Sequence, residues 1–198
     1  MINLPVSHSA ADALARQEIE ETIRYERYCR DNGQWQEMRR MFAKDATINI
    51  SWYHGTASGF IDASAQGAVQ GAHVIEGVLT WLNGDRAMSV VSATIRMRRS
   101  VDDQEYEVMS HVRLVYQLVR HTSGWAIDYM TCIYGNDSVA ATAPQTLPAQ
   151  HEHVRCIFTN ADKVGLYNET INNELPGIDR PASVDKVLQA SQSWLRQD

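Results

Sequence analysis

Apolar residues recur at two different spacings along the chain, and the change of spacing marks a change from helix to strand. Between residues 10 and 30, Ile19 and Ile23 recur at helical spacing after Ser9, whose hydroxyl can cap a helix start. A shorter helical pattern begins at Trp35. The pattern therefore predicts two helices before any strand.

A second pattern, rich in β-branched and aromatic residues, begins with ATINISWY at residues 46–53 and predicts the first strand. Residues 58–70 form a small-residue helical run that ends at Gly71, and a new strand begins at His73. Asn83-Gly84 favours a two-residue type I′ hairpin. Further strands are predicted over 86–99, 105–120 and 125–134. Four long strands in succession predict an antiparallel meander.

The composition changes after Asp137 to a stretch rich in Ala, Pro and Thr, which indicates a surface connection. Residues 154–167 are predicted to be partly helical, and Ser183 is predicted to cap a last helix. The apolar face of that helix must pack on the main body or on a neighbouring subunit; it comprises Val184, Val187, Leu188, Ser191, Trp194 and Leu195. We therefore expect a domain over 1–137 and a C-terminal extension over 138–198.

Charge and composition narrow the range of partners. The net charge is -6 and no Lys/Arg run is longer than a pair, which argues against a nucleic-acid partner. No stretch approaches the roughly 18 apolar residues of a membrane span, and the N-terminus lacks a signal-peptide pattern. The three cysteines, Cys29, Cys132 and Cys156, have no zinc-binding spacing. These features predict a cytoplasmic protein with no membrane association.

Three stretches carry a family pattern. In EIEETIRYERYCRDNGQWQEMRRMFAKDATI, Asp31 ends the first helix, Trp35 starts the second, and Phe42 and Asp45 precede the first strand. GAHVIEGVLTWLNGDRAMS carries a histidine, a hydrophobic strand and a Gly-Asp-x-Ala hairpin, and HTSGWAIDYMTCIYGND carries a closing Gly-Trp strand. Over residues 10–137 these motifs resemble the SnoaL-like and scytalone dehydratase-like proteins of the nuclear transport factor two-like superfamily. The resemblance implies an α+β fold, in which N-terminal helices cover a pocket in a cone-shaped, curved antiparallel sheet, with a C-terminal helical extension.

The resemblance also implies a catalytic pair. In dehydratase-like and dehydrochlorinase-like members, an aspartate near the end of the first helix supports a histidine on the strand after the third helix; these positions are Asp31 and His73. An imidazole can take a proton near neutral pH, and a carboxylate that accepts its other N–H stabilises the imidazolium. Asp31 is rotated by about 80° from the core position of Ile23, so its carboxylate can reach a pocket or instead cap the reversal at Asn32-Gly33.

Five further residues are candidate substrate contacts. Tyr28 lies one turn before the aspartate, where packing is an equal alternative. His54 follows an aromatic pair at a strand end, where the alternative is a solvated loop histidine. His111 lies in an alternating strand, which leaves open whether its face lines the interior. Trp52 and Tyr129 are either pocket walls or core residues.

The function implied by the resemblance is a cofactor-independent lyase of the dehydratase type, or an isomerase, acting on a small apolar organic molecule through the His-Asp pair. The alternative is a non-catalytic small-molecule-binding or structural subunit, similar to the β subunit of aromatic-ring dioxygenases. Water activation of the limonene-epoxide-hydrolase type needs an Asp-Arg-Asp cluster, and Asp128 is the single acidic residue of the predicted last strand.

Two expectations concern other ligands and subunits. The histidines of QHEHVRC lie at i and i+2 and lack the spacing of metal ligands, so neither a metal nor a cofactor is expected. Superfamily members commonly associate through the sheet, and the strands carry apolar residues on both faces, so a homo-oligomer is expected.

Overall fold

The structure, a computed structural model, describes residues 9–67, 71–101, 104–142 and 181–197. Its helices are α1 (Ala10–Asp31), α2 (Trp35–Arg40), α3 (Ala57–Ala65) and α4 (Pro181–Leu195). As predicted, the Ser9 hydroxyl caps α1 by accepting a hydrogen bond from the Asp12 amide at 3.0 Å. Among the described residues, no helix is both long and apolar enough to cross a membrane.

Six strands form one sheet over which the three N-terminal helices lie. They are β1 (Phe42–Ile50), β2 (Tyr53–Thr56), β3 (Ala72–Asn83), β4 (Arg86–Val101), β5 (Gln104–His121) and β6 (Gly124–Ala141). The strand order is β2-β1-β6-β5-β4-β3; among the described strands, the β1–β6 pair is parallel and the other neighbouring pairs are antiparallel. The predicted meander is therefore β3 to β6, and the α+β fold class is confirmed.

Each face of the sheet packs against different helices, because successive side chains of a strand point to opposite sides. On the inner face, Leu114 and Tyr116 of β5 belong to the same buried cluster as Ile19 and Ile23 of α1. On the outer face, α4 covers a second cluster that contains Trp81, Met88, Val115, Ile133 and Leu195. The last helix thus packs on the sheet of its own chain.

Some local predictions were wrong. One strand was predicted over residues 46–53, but these residues span the end of β1, a turn and the first residue of β2, a short strand that was not predicted. β6 continues to Ala141, because the long β5 supplies hydrogen-bond partners that override the weak strand propensity of its last residues.

The two remaining corrections concern element boundaries. Asn83 pairs with Arg86, so the hairpin turn is centred on Gly84 and Asp85, one residue later than predicted. Gly84 has a φ of 56°, which such turns require. Helix α4 begins at Pro181, before the predicted cap Ser183. The predicted helical segment 154–167 lies outside the described residues.

Candidate active site

Asp31 and His73 meet where the end of α1 reaches the start of β3. The His73 ring Nδ1 lies 2.7 Å from Asp31 Oδ1, and the His73 backbone N–H donates to Asp31 Oδ2 at 2.6 Å. Both carboxylate oxygens are therefore used to hold one residue. The chain reversal after α1 is closed by backbone bonds, including Gln34 N–H to the Cys29 carbonyl at 2.8 Å, so it does not need the Asp31 side chain as a cap.

The protonation state of the pair follows from this geometry. Because a carboxylate accepts the bond at Nδ1, the ring proton is assigned to Nδ1, which leaves Nε2 as the acceptor. Burial is the largest influence on the ring; it outweighs the Asp31 hydrogen bond and, with the charges of Arg27 and Arg30, lowers the pKa of His73 to about 4. Burial raises the pKa of Asp31, but the hydrogen bonds and charge of His73 outweigh it and lower the pKa overall. At neutral pH the pair is thus a neutral imidazole beside a carboxylate.

His73 lines a cavity between the helices and the inner face of the sheet. The space between the atoms that line it, with the open solvent at its mouth included, is about 530 Å³. Trp52 and Phe60 pack at 5.4 Å between ring centroids to form an aromatic wall. Most of the remaining wall is apolar, and its members include Ile50, Ile95, Met97, Leu114 and Met130. The cavity therefore suits an organic molecule with a mainly apolar body.

Polar groups occupy a few positions of the wall. Ser51 and Tyr134 form one pair, in which the tyrosine hydroxyl lies 2.6 Å from the serine Oγ and accepts from the Ser51 amide at 3.1 Å. Ser110 of β5 lines the cavity on another side. These hydroxyls offer hydrogen bonds at fixed places in the wall.

Two arginines of α1 also line the cavity, and each has an acidic neighbour in the sequence. Arg27 contacts Glu26 through two nitrogens, with Nε to Oε2 at 2.5 Å, and both side chains are almost completely buried. Arg30 Nη1 lies 3.6 Å from Asp31 Oδ1. Burial and the charge of Arg27 lower the pKa of Arg30 to about 10, so both guanidinium groups remain charged at neutral pH.

The structure corrects the placement of four predicted substrate contacts, whereas Trp52 does line the cavity. Tyr28 is 52% exposed and stacks on Tyr25 beside a different groove. His54 lies exposed on β2. The other two, His111 and Tyr129, lie on the outer face of the sheet. Thus none of the four is part of the cavity that contains His73.

Strand registers explain why the last two point away. His111 pairs with Thr94, one residue from the Ile95–Ser110 pair that lines the cavity, and its Nδ1 lies 3.0 Å from Thr94 Oγ1. Tyr129 pairs with Gln117, whose side chain donates to Ser191 of α4 on the outer face.

Two charged residues of the cavity wall, Arg27 and Arg30, were not predicted from the sequence. Arg27 and Arg30 lie four and seven positions after Ile23, so they continue the buried stripe of α1, and this spacing was a usable signal. Asp137, which does not line the cavity, was missed because β6 was predicted to end at Tyr134. It pairs with Ser110, and burial raises its pKa to about 6 although a hydrogen bond from Ser110 opposes the shift.

His73 and Asp137 give the free energy of unfolding opposite pH dependences. The pKa of His73 is lowered from 6.5 to about 4, so its contribution to stability is present above pH 6.5 and is lost as the pH falls to about 4. The pKa of Asp137 is raised from 3.8 to about 6, so its contribution is present below pH 3.8 and is lost as the pH rises through 6. Between pH 4 and 6.5 the two contributions largely offset each other.

The substitution Asp137→Asn removes one of these contributions. We expect it to raise the free energy of unfolding at pH 7 by about 2 kcal/mol, and to uncover a fall of about 3 kcal/mol between pH 6.5 and 4. Urea unfolding at half-unit pH intervals measures both. Asp45→Asn, at an exposed position of β1, is the matched control. If Asp137→Asn and the wild type share the same pH profile, the assignment of opposing contributions is wrong.

The helices, the open curved sheet and the enclosed cavity define a class of small α+β proteins, and comparison with known proteins identifies the family. The SnoaL-like domain matches residues 11–131, and the chain belongs to this family. A PEP2-like protein of Fusarium vanettenii is 28% identical over 129 residues, which cover 62% of this chain and 55% of that protein. The pea pathogenicity protein 2 of the same fungus is 26% identical over 158 residues, which cover 76% of this chain and 68% of that protein.

Solved structures agree with the fold. The hexachlorocyclohexane dehydrochlorinase LinA-type3 of Novosphingobium barchaimii superposes with a TM-score of 0.58 at 14% identity, covering 71% of this chain and all of that chain (100%). At this identity the likeness shows the fold alone.

Proposed function

We propose that this protein is a cofactor-independent lyase or isomerase in which His73 is the general base and Asp31 positions it. The observation that carries the proposal is the 2.7 Å contact between Asp31 and Nδ1 of a histidine that lines a mostly apolar cavity. This contact leaves Nε2 unprotonated and able to accept a proton from a bound molecule. The dehydrochlorinase that shares the fold catalyses an elimination, which is the same class of reaction.

The reaction balances within the pair and the substrate. Nε2 of His73 takes a proton from an acidic C–H, and the electron pair of that bond remains on the substrate. In a lyase the pair forms a C=C bond as hydroxide or halide leaves the neighbouring carbon; in an isomerase the proton returns to a different carbon. In both cases the imidazolium formed lies beside the Asp31 carboxylate, which stabilises its charge.

The wall supports a substrate with an apolar body. Trp52 and Phe60 provide an aromatic surface, and the aliphatic side chains around them exclude water from the reacting carbon. The open space within the fold favours this reading over that of a structural subunit. A non-catalytic structural subunit needs no cavity lined by a histidine, such as His73, that an aspartate, such as Asp31, holds in place.

Deuterium uptake tests the proposal. The wild-type protein is incubated in D2O with a panel of cyclic ketones, β-hydroxy ketones and β-chloro ketones, and the products are analysed by NMR. We expect deuterium at the carbon next to the carbonyl, or loss of water or chloride from the adjacent carbon. A product that forms while every substrate C–H bond is retained would contradict proton abstraction by His73.

A further inference from the structure

The charged residues of α1 are arranged asymmetrically about the cavity. Arg27 and Arg30 line its wall, whereas their acidic neighbours Glu26 and Asp31 do not. Within the part of the chain that the structure describes, the lining contains two guanidinium groups and no carboxylate. The charges that a bound molecule contacts directly are therefore positive, although the net charge of the four side chains is zero.

Glu26, which does not line the cavity, holds the Arg27 guanidinium in place. Glu26 takes both Arg27 contacts and also lies 3.4 Å from the Tyr116 hydroxyl, so its oxygens are occupied away from the cavity. The Asp31 oxygens accept hydrogen bonds from His73, and Oδ1 also lies 3.6 Å from Arg30 Nη1. Arg30 is only 8% exposed, and it lies near enough to Arg27 for the charge of Arg27 to lower the pKa of Arg30. Two positive charges that lie close together in a buried site repel each other, and an anion bound beside them stabilises both.

We propose that Arg27 and Arg30 form an oxyanion site, and that the cavity selects a small, mainly apolar molecule with one ionisable oxygen, a phenol or an enol. The aromatic and aliphatic wall contacts the apolar body of the ligand. The guanidinium groups donate hydrogen bonds to its oxygen, which binds as the anion. This narrows the substrate from a purely apolar molecule to one with a single acidic oxygen.

The catalytic consequence rests on the function proposed above. When His73 removes a proton from the carbon next to a carbonyl, the negative charge moves to the carbonyl oxygen. An arginine facing that oxygen lowers the energy of the enolate, while Asp31 stabilises the imidazolium on the other side. The two developing charges would thus each meet a fixed charge of opposite sign.

A phenol that changes colour on ionisation tests the site without turnover. The absorbance of 4-nitrophenol is measured with and without protein at a pH where the free dye is half ionised. We expect the bound dye to be mostly anionic, with its apparent pKa lowered by at least one unit. We also expect 4-nitrotoluene, which has the same ring without the acidic oxygen, to bind at least tenfold more weakly than the anion.

Two variants locate the effect. Arg30→Met is expected to weaken binding of the anionic dye at least tenfold, and Arg30→Lys to retain part of it. Arg39→Met is the control, because Arg39 pairs with Asp62 at the surface and does not line the cavity. The proposal is overturned if the wild type does not bind the anionic dye at millimolar concentration, binds 4-nitrotoluene equally well, or is unaffected by Arg30→Met in a folded variant.

The dye also separates this proposal from the catalytic one. The variant His73→Gln is expected to lose deuterium exchange but to keep the dye ionised. Exchange without dye ionisation in the wild type would remove the oxyanion site and leave His73 as the base. Dye ionisation in a protein whose exchange is unaffected by His73→Gln would remove the catalytic role and leave the anion-binding cavity.

Discussion

Replacing His73 by glutamine is expected to slow deuterium exchange or elimination by about 10² to 10⁴-fold, the usual contribution of a positioned general base. Glutamine retains a hydrogen-bonding side chain but cannot accept a proton near neutral pH. The loss should fall on kcat, with little change in KM, because the apolar wall that binds the substrate is unchanged. Steady-state measurements with a substrate from the ketone panel determine both parameters.

Asp31→Asn separates the positioning role from the fold. The amide can still accept a bond from the ring N–H, but it no longer provides the negative charge that stabilises the imidazolium. We expect kcat to fall at least tenfold while circular dichroism remains that of the wild type. Asp45→Asn, an exposed carboxylate on β1, should leave kcat unchanged. Full activity of either His73→Gln or Asp31→Asn would show that the pair is not the catalytic base.

The largest effect on stability is expected at Glu26. Its side chain is fully buried and is the direct ion-pair partner of Arg27, whose own side chain is 4% exposed. Glu26→Gln keeps the shape but leaves a buried guanidinium without its counter-charge, which costs about 3 to 5 kcal/mol of unfolding free energy. Urea denaturation at pH 7 measures this loss.

A matched exposed pair provides the control. Glu37 contacts Arg40 at 2.9 Å, but the Arg40 side chain is 71% exposed, so Glu37→Gln should cost no more than about 1 kcal/mol. The double variant Glu26→Gln with Arg27→Met should recover much of the stability, because it removes both buried charges. A loss below about 1 kcal/mol for Glu26→Gln would show that solvent reaches Arg27 in solution.

Much of the fold is predictable because hydrophobic periodicity is a local property of the sequence. The helix over α1 and the long strands of the meander follow from the spacing of residues such as Ile19, Ile23 and Val115. The end of β6 was missed because its pairing depends on the distant start of β5 rather than on its own residues. β2 pairs with the neighbouring β1, and it was missed because its sequence YHGT is short and includes a glycine, a residue that is depleted in strands.

The candidate site was predictable only in part. The family motifs paired Asp31 with His73, and the two are in contact; their catalytic role stays a prediction. His111 and Tyr129 were misplaced because the face of a strand cannot be assigned from alternation alone when both faces of the sheet are buried, here under α1 to α3 and under α4. Arg27 and Arg30 were overlooked because charged residues on a helix are usually taken as solvent-exposed, although their spacing placed them on the buried stripe.

Among the described residues, the charged side chains that line the cavity, Arg27 and Arg30, and the Asp31 carboxylate that contacts His73 all belong to α1, while the strands supply most of the apolar wall. The charge of the site and the shape of the cavity thus depend on different segments of the chain. Substitutions at Ile95, Met97 or Leu114 can change the shape of the cavity for larger or smaller ligands while the charged residues of α1 are unchanged. Conversely, inserting one residue into α1 before Arg27 would rotate Arg27, Arg30 and Asp31 together by about 100° about the helix axis. All three charged side chains would then point away from the cavity.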